Sequence, residues 1–452
     1  MQNHPTDSDF DLKPLQDRAI ELVDAAKRAG ADAGDAVVAS SRSTGVDIRN
    51  GAVEEIDASE NDAFSLRVFV GNRSASVSAN RGGDAAILAE RAVAMAKVSP
   101  ENTYGGLADE ERLAKQFPDL DLLDNTVLTV EEMTERARAC EEAALAVKGV
   151  TKSSGSGCGR SIGGTVLATS HGFIGSYAAS RYSLSVSAVA GEGTGMERDY
   201  DFDSKRHLKD LRDPQSIGKT AGERTVKRLS PQVLPTQQGT IIFEPRMARS
   251  LVGHMVSALN GASVVRKTSF LRDAMGEAAF SETVRVTDRP HRLRGLASRP
   301  FDGEGVALED LPLIDGGVIQ NWLLDSATAR ELGLATNGRA NRSGSSTSPG
   351  TTNLTLDAGQ RSLAQMIADT KSGLLVTELI GQGVNMVTGD YSRGASGFRI
   401  ENGELTYAVS EITIAGNLKD MFKRLEPASE IDTQGSIHTP AIAIEGLTIA
   451  GR

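Results

Sequence analysis

Asn50-Gly51 constrains the fold of this chain more than any other pair of residues in it. A two-residue type I′ hairpin needs φ > 0 at both central positions, and Asn-Gly tolerates that best. The flanking residues alternate as strands do. Segments 36–39, 45–49 and 53–56 read as a meander, and 65–70 and 74–78 form a further pair across Gly71-Asn72. Strands joined by such short turns must run antiparallel. Helical periodicity is interleaved with them. Residues 14–29 place Leu15, Ala19, Ile20, Leu22, Val23 and Ala26 on one side, and an alanine-rich helix follows at 84–97. Thr129-x-x-Glu132 is a capping box that opens a helix through Val147. Alternation returns over 164–193 around a turn at His171-Gly172, and 213–229 reads as a helix. The expected class is α+β, with two domains of mainly antiparallel β-sheet packed with helices.

The segment 231–238 reads as a linker, which divides the chain into an amino-terminal α+β domain over 1–232 and a β-rich domain over 233–452. The second domain opens with a strand at 240–243 and a helix that has Pro245 in its first turn, where the missing N–H costs nothing. Asp315-Gly316-Gly317-Val318 is a hairpin tip, and 441–449 is a final strand. Residues 336–353 are rich in Gly, Ser and Asn, the composition of a mobile surface loop.

Composition excludes several functions. A net charge of -11, with no run of Lys and Arg, argues against a nucleic-acid surface. The start, Met1-Gln2-Asn3-His4-Pro5-Thr6-Asp7, is polar and acidic, which argues against a signal peptide, and no apolar run is long enough to span a membrane. The two cysteines, Cys140 and Cys158, are too few for a disulfide framework and lack metal spacing. These features lead to the expectation of a cytoplasmic protein.

Three motif matches fail on context. Gly159-Arg160-Ser161-Ile162-Gly163 has the spacing of a nucleophile elbow, but that elbow needs a helix after it and Thr165-Val166-Leu167-Ala168 reads as strand. Gly218-Lys219-Thr220 ends like a phosphate-binding loop, but Asp213 stands where its first glycine should be and the segment is helical. The glycines of 155–164 lack dinucleotide spacing and open no helix. His171, His207, His291 and His438 stand alone in sequence.

Two stretches of the second half carry the most specific signal. One is Glu244-Pro245-Arg246-Met247-Ala248-Arg249-Ser250-Leu251-Val252-Gly253-His254. The other runs from Gly389-Asp390-Tyr391-Ser392-Arg393-Gly394-Ala395 through Ile400-Glu401-Asn402-Gly403-Glu404 to Glu411-Ile412-Thr413-Ile414-Ala415-Gly416-Asn417-Leu418. Together they resemble the TldD/PmbA family of bacterial and archaeal metallopeptidases, in its PmbA (TldE) branch. The resemblance runs from about residue 10 to the end, and in the amino-terminal half it lies mostly in pattern, as in Arg67-Val68-Phe69-Val70-Gly71. In the family's metal-bearing branch the helix reads His-Glu-x-x-x-His, and a Cys near the chain end completes a zinc site. The resemblance puts Arg249 at the first His, Ser250 at the Glu, His254 at the second His, and Thr413 at the Cys.

Those substitutions remove the chemistry. Hydrolytic zinc needs about three protein ligands, an open position and usually a carboxylate base. Arg249 is a permanent cation with no acceptor, Ser250 is no base at neutral pH without an activating partner, and Thr413 is a poor neutral ligand. Positions i and i+5 lie about 140° apart on a straight helix, so a ligand pair there needs a bend, which Gly253 permits.

The expectation is therefore a catalytically silent chain with no cofactor of its own. The resemblance implies a TldD-type metallopeptidase subunit as partner, with zinc in that partner, and short peptides as substrates. A homodimer in isolation is also open. It places the 336–353 loop at the rim of the active-site cavity. Two alternatives remain: an independent peptidase with another mechanism, and a protein-binding regulator in keeping with the family's gyrase-modulator label.

Overall fold

The computed structural model describes residues 10–80 and 82–451, so the polar start of the chain lies outside the described residues. The first half is built on one six-stranded antiparallel sheet: β1 (Ala33–Arg49), β2 (Ala52–Val70), β3 (Arg73–Asn80), β4 (Val150–Thr169), β5 (Ile174–Ala190) and β6 (Glu197–Lys205), in the order β3-β2-β1-β4-β5-β6. Asn50 and Gly51 turn at φ 53° and 75°, as a type I′ hairpin requires. The segments 36–39 and 45–49, expected as separate strands, are one strand of 17 residues, and 53–56 and 65–70 are one of 19. The intervening Ser40-Ser41-Arg42-Ser43-Thr44 is polar, and β2 is exposed over 52–61. Backbone pairing continues there without burial, so the hydrophobic alternation lapses while the strand does not.

One face of this sheet carries all four helices of the first half: α1 (Lys13–Arg28), α2 (Ala85–Val98), α3 (Val130–Leu145) and α4 (Pro214–Lys227). Leu22, Val23, Ala89 and Ala92 pack on Val38, Leu66 and Val68. Farther along, Met133, Cys140 and Ile217 pack on Ile48, Cys158, Leu184 and Val186. The predicted capping box at Thr129 and Glu132 is formed. Gly218 sits inside α4, and a Cβ there would lie 2.1 Å from the Cys140 carbonyl oxygen. That glycine serves close helix packing and no phosphate. Both cysteines are free and buried, and burial pushes their thiols up to about 12 and about 11.

The second half begins with β7 (Gln237–Phe243), the third strand from one edge of a six-stranded sheet that also holds Ser372–Ile380, Asp390–Glu401, Glu404–Asn417, Leu425–Pro427 and Ile442–Ala450. β7 runs parallel to Ser372–Ile380 and antiparallel to Ile442–Ala450. Strand Glu404–Asn417 also pairs with Ile442–Ala450, so the sheet curls until five strands form a ring. Helix α5 (Pro245–Ala258) follows β7 and buries Ala248, Leu251, Val252 and Met255 against Phe243, Val376, Ile412 and Ile414. Gly316 and Gly317 form the expected hairpin tip, both at positive φ. No helix among the described residues is long and apolar enough to cross a membrane.

The segment 336–353 is not a bare loop. Ala340–Ser343 and Ser346–Pro349 pair as a hairpin whose tip reaches back to the open face of the first sheet. Arg342 bonds the buried carboxylate of Asp35 on β1, and Arg67 on β2 reaches the same group at 2.5 Å. Arg67 also donates to Thr347 Oγ1 at 3.3 Å, and Ser76 to Ser345 at 2.8 Å. Burial alone would raise the Asp35 pKa. The charges of Arg67 and Arg342 outweigh it and hold the group at about 2.

This arrangement predicts a pH signature. The folded pKa lies below the ordinary 3.8, so the stability Asp35 contributes is complete above that value and is lost as pH falls through about 2. D35N should destabilise the protein by about 3–5 kcal/mol near neutral pH, because two buried guanidinium groups lose their anion. Urea unfolding of both proteins should show the difference shrinking toward pH 2; a difference that grows as pH falls contradicts it.

Candidate functional site

Helix α5 carries three of the four residues that the sequence singles out. Its start is fixed to the first half of the chain. Arg246 donates to Glu244 Oε1 at 2.6 Å and to Asp199 Oδ1 at 2.8 Å, and its guanidinium lies 5.2 Å from the Tyr200 ring centroid. Burial raises the Glu244 pKa, and the Arg246 charge opposes that.

One turn on, Arg249 Nη2 lies 2.7 Å from Asp432 Oδ1, and its Nε donates to the Ile437 carbonyl oxygen at 3.3 Å. The guanidinium therefore faces the chain-end segment 432–438 and is already neutralised there. Ser250 Oγ donates to the Met247 carbonyl oxygen at 2.8 Å, a bond within the helix that leaves no activated nucleophile. The helix runs without interruption through Gly253 to His254.

His254 packs edge-on to Tyr391, with ring centroids 6.2 Å apart. Burial lowers its pKa, and Arg393 lowers it further, so the imidazole is held neutral. His254 Nε2, the Tyr391 hydroxyl and Arg393 Nε are all buried without a hydrogen-bond partner. Burial pushes the Tyr391 hydroxyl up to about 12. These groups form a polar patch under the helix in which, among the described residues, Arg393 is the charged neighbour that acts on His254.

Thr413 is not brought to this patch. It pairs with Gly394, while Tyr391 and Arg393 pair with Gly416 and Ile414. Neighbouring residues of a strand point to opposite faces, so Thr413 lies on the far side of the sheet from Tyr391, Arg393 and α5. The residue that meets Arg249 is Asp432, 183 residues further along the chain. An acidic residue within reach of an arginine on the helix was the available signal, but nothing local marks such a contact across so many residues.

These donors do not fit a zinc ion. One neutral imidazole faces a cation, Arg393, and a second cation, Arg249, occupies the position one turn earlier. Among the described residues, no group of three or more His, Cys, Asp or Glu is placed to hold a metal. The other motifs resolve as structure. The Gly159–Gly163 run lies in the middle of β4 with no helix after it. His207 is not isolated: its Nε2 lies 3.0 Å from the Asp121 carbonyl oxygen and 3.1 Å from the Asp121 carboxylate.

Comparison with known proteins covers almost the whole chain. Family models described as PmbA/TldA metallopeptidase domain 1, central domain and C-terminal domain match residues 34–96, 124–229 and 236–451. Metalloprotease PmbA of Escherichia coli O157:H7 is 38% identical over 98% of this chain and 96% of its own length. The Metalloprotease PmbA homolog of Haemophilus influenzae is 37% identical over the same shares. A Bacteroides thetaiotaomicron crystal structure, named as a proposed modulator of DNA gyrase, superposes with a TM-score of 0.90 at 28% identity, covering 97% of this chain and 99% of that one. TldE from Thermococcus kodakarensis superposes at 0.84 with 21% identity over 96% and 99%, a likeness of fold.

The patch under α5 yields a titration. In an imidazole-detected NMR experiment His254 should titrate below the ordinary 6.5. R393Q should raise that pKa only part of the way, because burial is the larger cause and remains. A midpoint at or above 6.5 in the wild type contradicts the geometry.

Proposed function

The chain belongs to the PmbA/TldD metallopeptidase family, and we propose that it is the zinc-free subunit of a two-protein peptidase acting on short unfolded peptides. The zinc and the hydrolytic chemistry then reside in a TldD-type partner, and the complex works in the cytoplasm. The observation that carries this reading is the Arg249–Asp432 ion pair. A guanidinium fixed by a carboxylate and a carbonyl fills the place where a peptidase of this family would begin its metal site, and it repels a divalent ion. On this reading the helix keeps a structural place in the fold without metal-binding chemistry, as a subunit kept for its shape would. The structural likeness to TldE points the same way.

Assembly has a candidate surface in β2. Residues 52–61 are exposed and, among the described residues, pair only with β1, leaving one edge of backbone donors and acceptors open. Val53 and Ile56 are 43% and 54% exposed there. Co-expression with the TldD-type chain should give a complex that survives size-exclusion chromatography at micromolar concentration and buries more than ~1,000 Å². Separate elution of the two chains counts against the reading.

Rebuilding the site tests the geometry. Arg249→His and Ser250→Glu combined with Asp432→Cys should take up zinc more tightly than the same pair combined with Thr413→Cys. Residue 432 faces the helix, whereas residue 413 lies across the sheet. Affinity should stay modest, since the groups that orient metal ligands need not be retained. Equal zinc affinity of the two triple variants by calorimetry contradicts the placement.

A further inference from the structure

Strand β3 occupies only part of the edge that β2 offers. It pairs with residues 63–70 of β2, from Asn80 against Ala63 to Arg73 against Val70. The chain then leaves the sheet through Gly82 and Gly83, both at positive φ, and enters α2 at its cap Asp84. Beyond Asn80 the lane is vacant. Among the described residues, 52–62 pair with β1 alone, so their outward N–H and C=O groups have no strand beside them. Both ends of this edge are fixed. At one end β3 holds it. At the other, the turn N–H groups of Asn50 and Gly51 donate to the carboxylate of Glu141, a fully buried residue of α3, at 2.9 and 2.7 Å. An edge held in this way loses little freedom when a strand is added to it.

The side chains determine what such a strand must carry. Successive residues face opposite sides of the sheet. On the side of the helices, Ile56 lies across from Val46 and Val53 across from Ile48, and Val46 and Ile48 are buried in the core that α3 covers. Glu54 and Glu60 have cations of their own, Arg49 at 3.1 Å and Arg42 at 3.5 Å. On the opposite side, Glu55 stands directly across from Asp47, and Asp57 follows two residues on. These three residues are exposed, and among the described residues none of them has a cation paired with it. Like charges set opposite one another on a ladder are unfavourable. A second copy of this chain, paired along the same edge, would bring further carboxylates to them. A strand with cations on that side and apolar residues on the other relieves the repulsion and extends the apolar surface beside Ile56.

We propose that this vacant lane accepts an extended strand of a different polypeptide, one that alternates Lys or Arg with apolar residues. The chemistry of that strand rests on the edge and its charge alone. That the metal-bearing subunit supplies it rests on the function proposed above.

Three acetylated and amidated heptapeptides test the proposal on the isolated full chain at low salt: alternating Lys and Val, alternating Glu and Val, and the Lys/Val sequence N-methylated at every residue. Calorimetry reads affinity and amide hydrogen exchange reads location. The Lys/Val peptide should bind and slow exchange within 52–62. The Glu/Val peptide should not bind. The N-methylated peptide should bind at least about tenfold more weakly, because it cannot donate to the ladder. E55K combined with D57K should weaken the Lys/Val peptide by about tenfold, with an unchanged circular dichroism spectrum because both side chains are exposed. Equal binding of the N-methylated peptide means adsorption to charge only and overturns the proposal. Protection that appears only outside 52–62 does so too, as does unchanged binding by the folded double variant. A dimer of the chain alone that protects 52–62 also overturns it. Complex formation with the metal-bearing subunit is scored separately, so either reading can fail without the other.

Discussion

The buried carboxylate of Asp35 joins the first sheet to a hairpin of the second half. Asp35 lies on β1, Arg67 on the neighbouring β2, and Arg342 on a hairpin more than 300 residues away in sequence. An isolated carboxylate could not be buried there in its charged form, and neither could either guanidinium. Each is tolerable only because the other two are present. That mutual requirement orients the 340–349 hairpin on the sheet and gives a polar loop composition a fixed position. Nearby, burial and the adjacent Asp302 push Glu304 up to about 7, so this interface gathers several costly groups.

Helix α5 is held in place by contacts of a different kind. Arg246 ties the helix start to Asp199 of β6, and apolar residues tie its inner face to the curled sheet. Neither restraint depends on metal ligands. The polar side chains of the helix find partners of their own. Arg249 finds Asp432 and Ser250 finds the Met247 carbonyl. His254 keeps an unpartnered nitrogen beside Tyr391 and Arg393.

Local chemistry was readable in the sequence, and distant chemistry was not. Asn50-Gly51, the Thr129 capping box, Pro245 and the Gly316-Gly317 tip each declare themselves within a few residues, and each is found. The long β1–β2 ribbon was read as fragments because its outer part buries nothing. Asn402-Gly403, with φ of 51° and 86°, carries the same turn signal as Asn50-Gly51 and was read only as part of a motif. At the candidate site, the helix positions follow from spacing. The partner of Arg249 does not, because Asp432 is brought to it only by the return of the chain end. Thr413 is assigned by the resemblance alone, and strand alternation places it on the far face.

The function proposed above is that this chain contributes structure to a metallopeptidase whose zinc lies in its partner. Metal analysis by plasma emission, on the chain purified without a metal-affinity tag and on its complex with the TldD-type subunit, tests that claim most directly. The prediction is no stoichiometric zinc in the isolated chain and one zinc per heterodimer. One zinc per isolated chain, lost on His254→Ala, would contradict it.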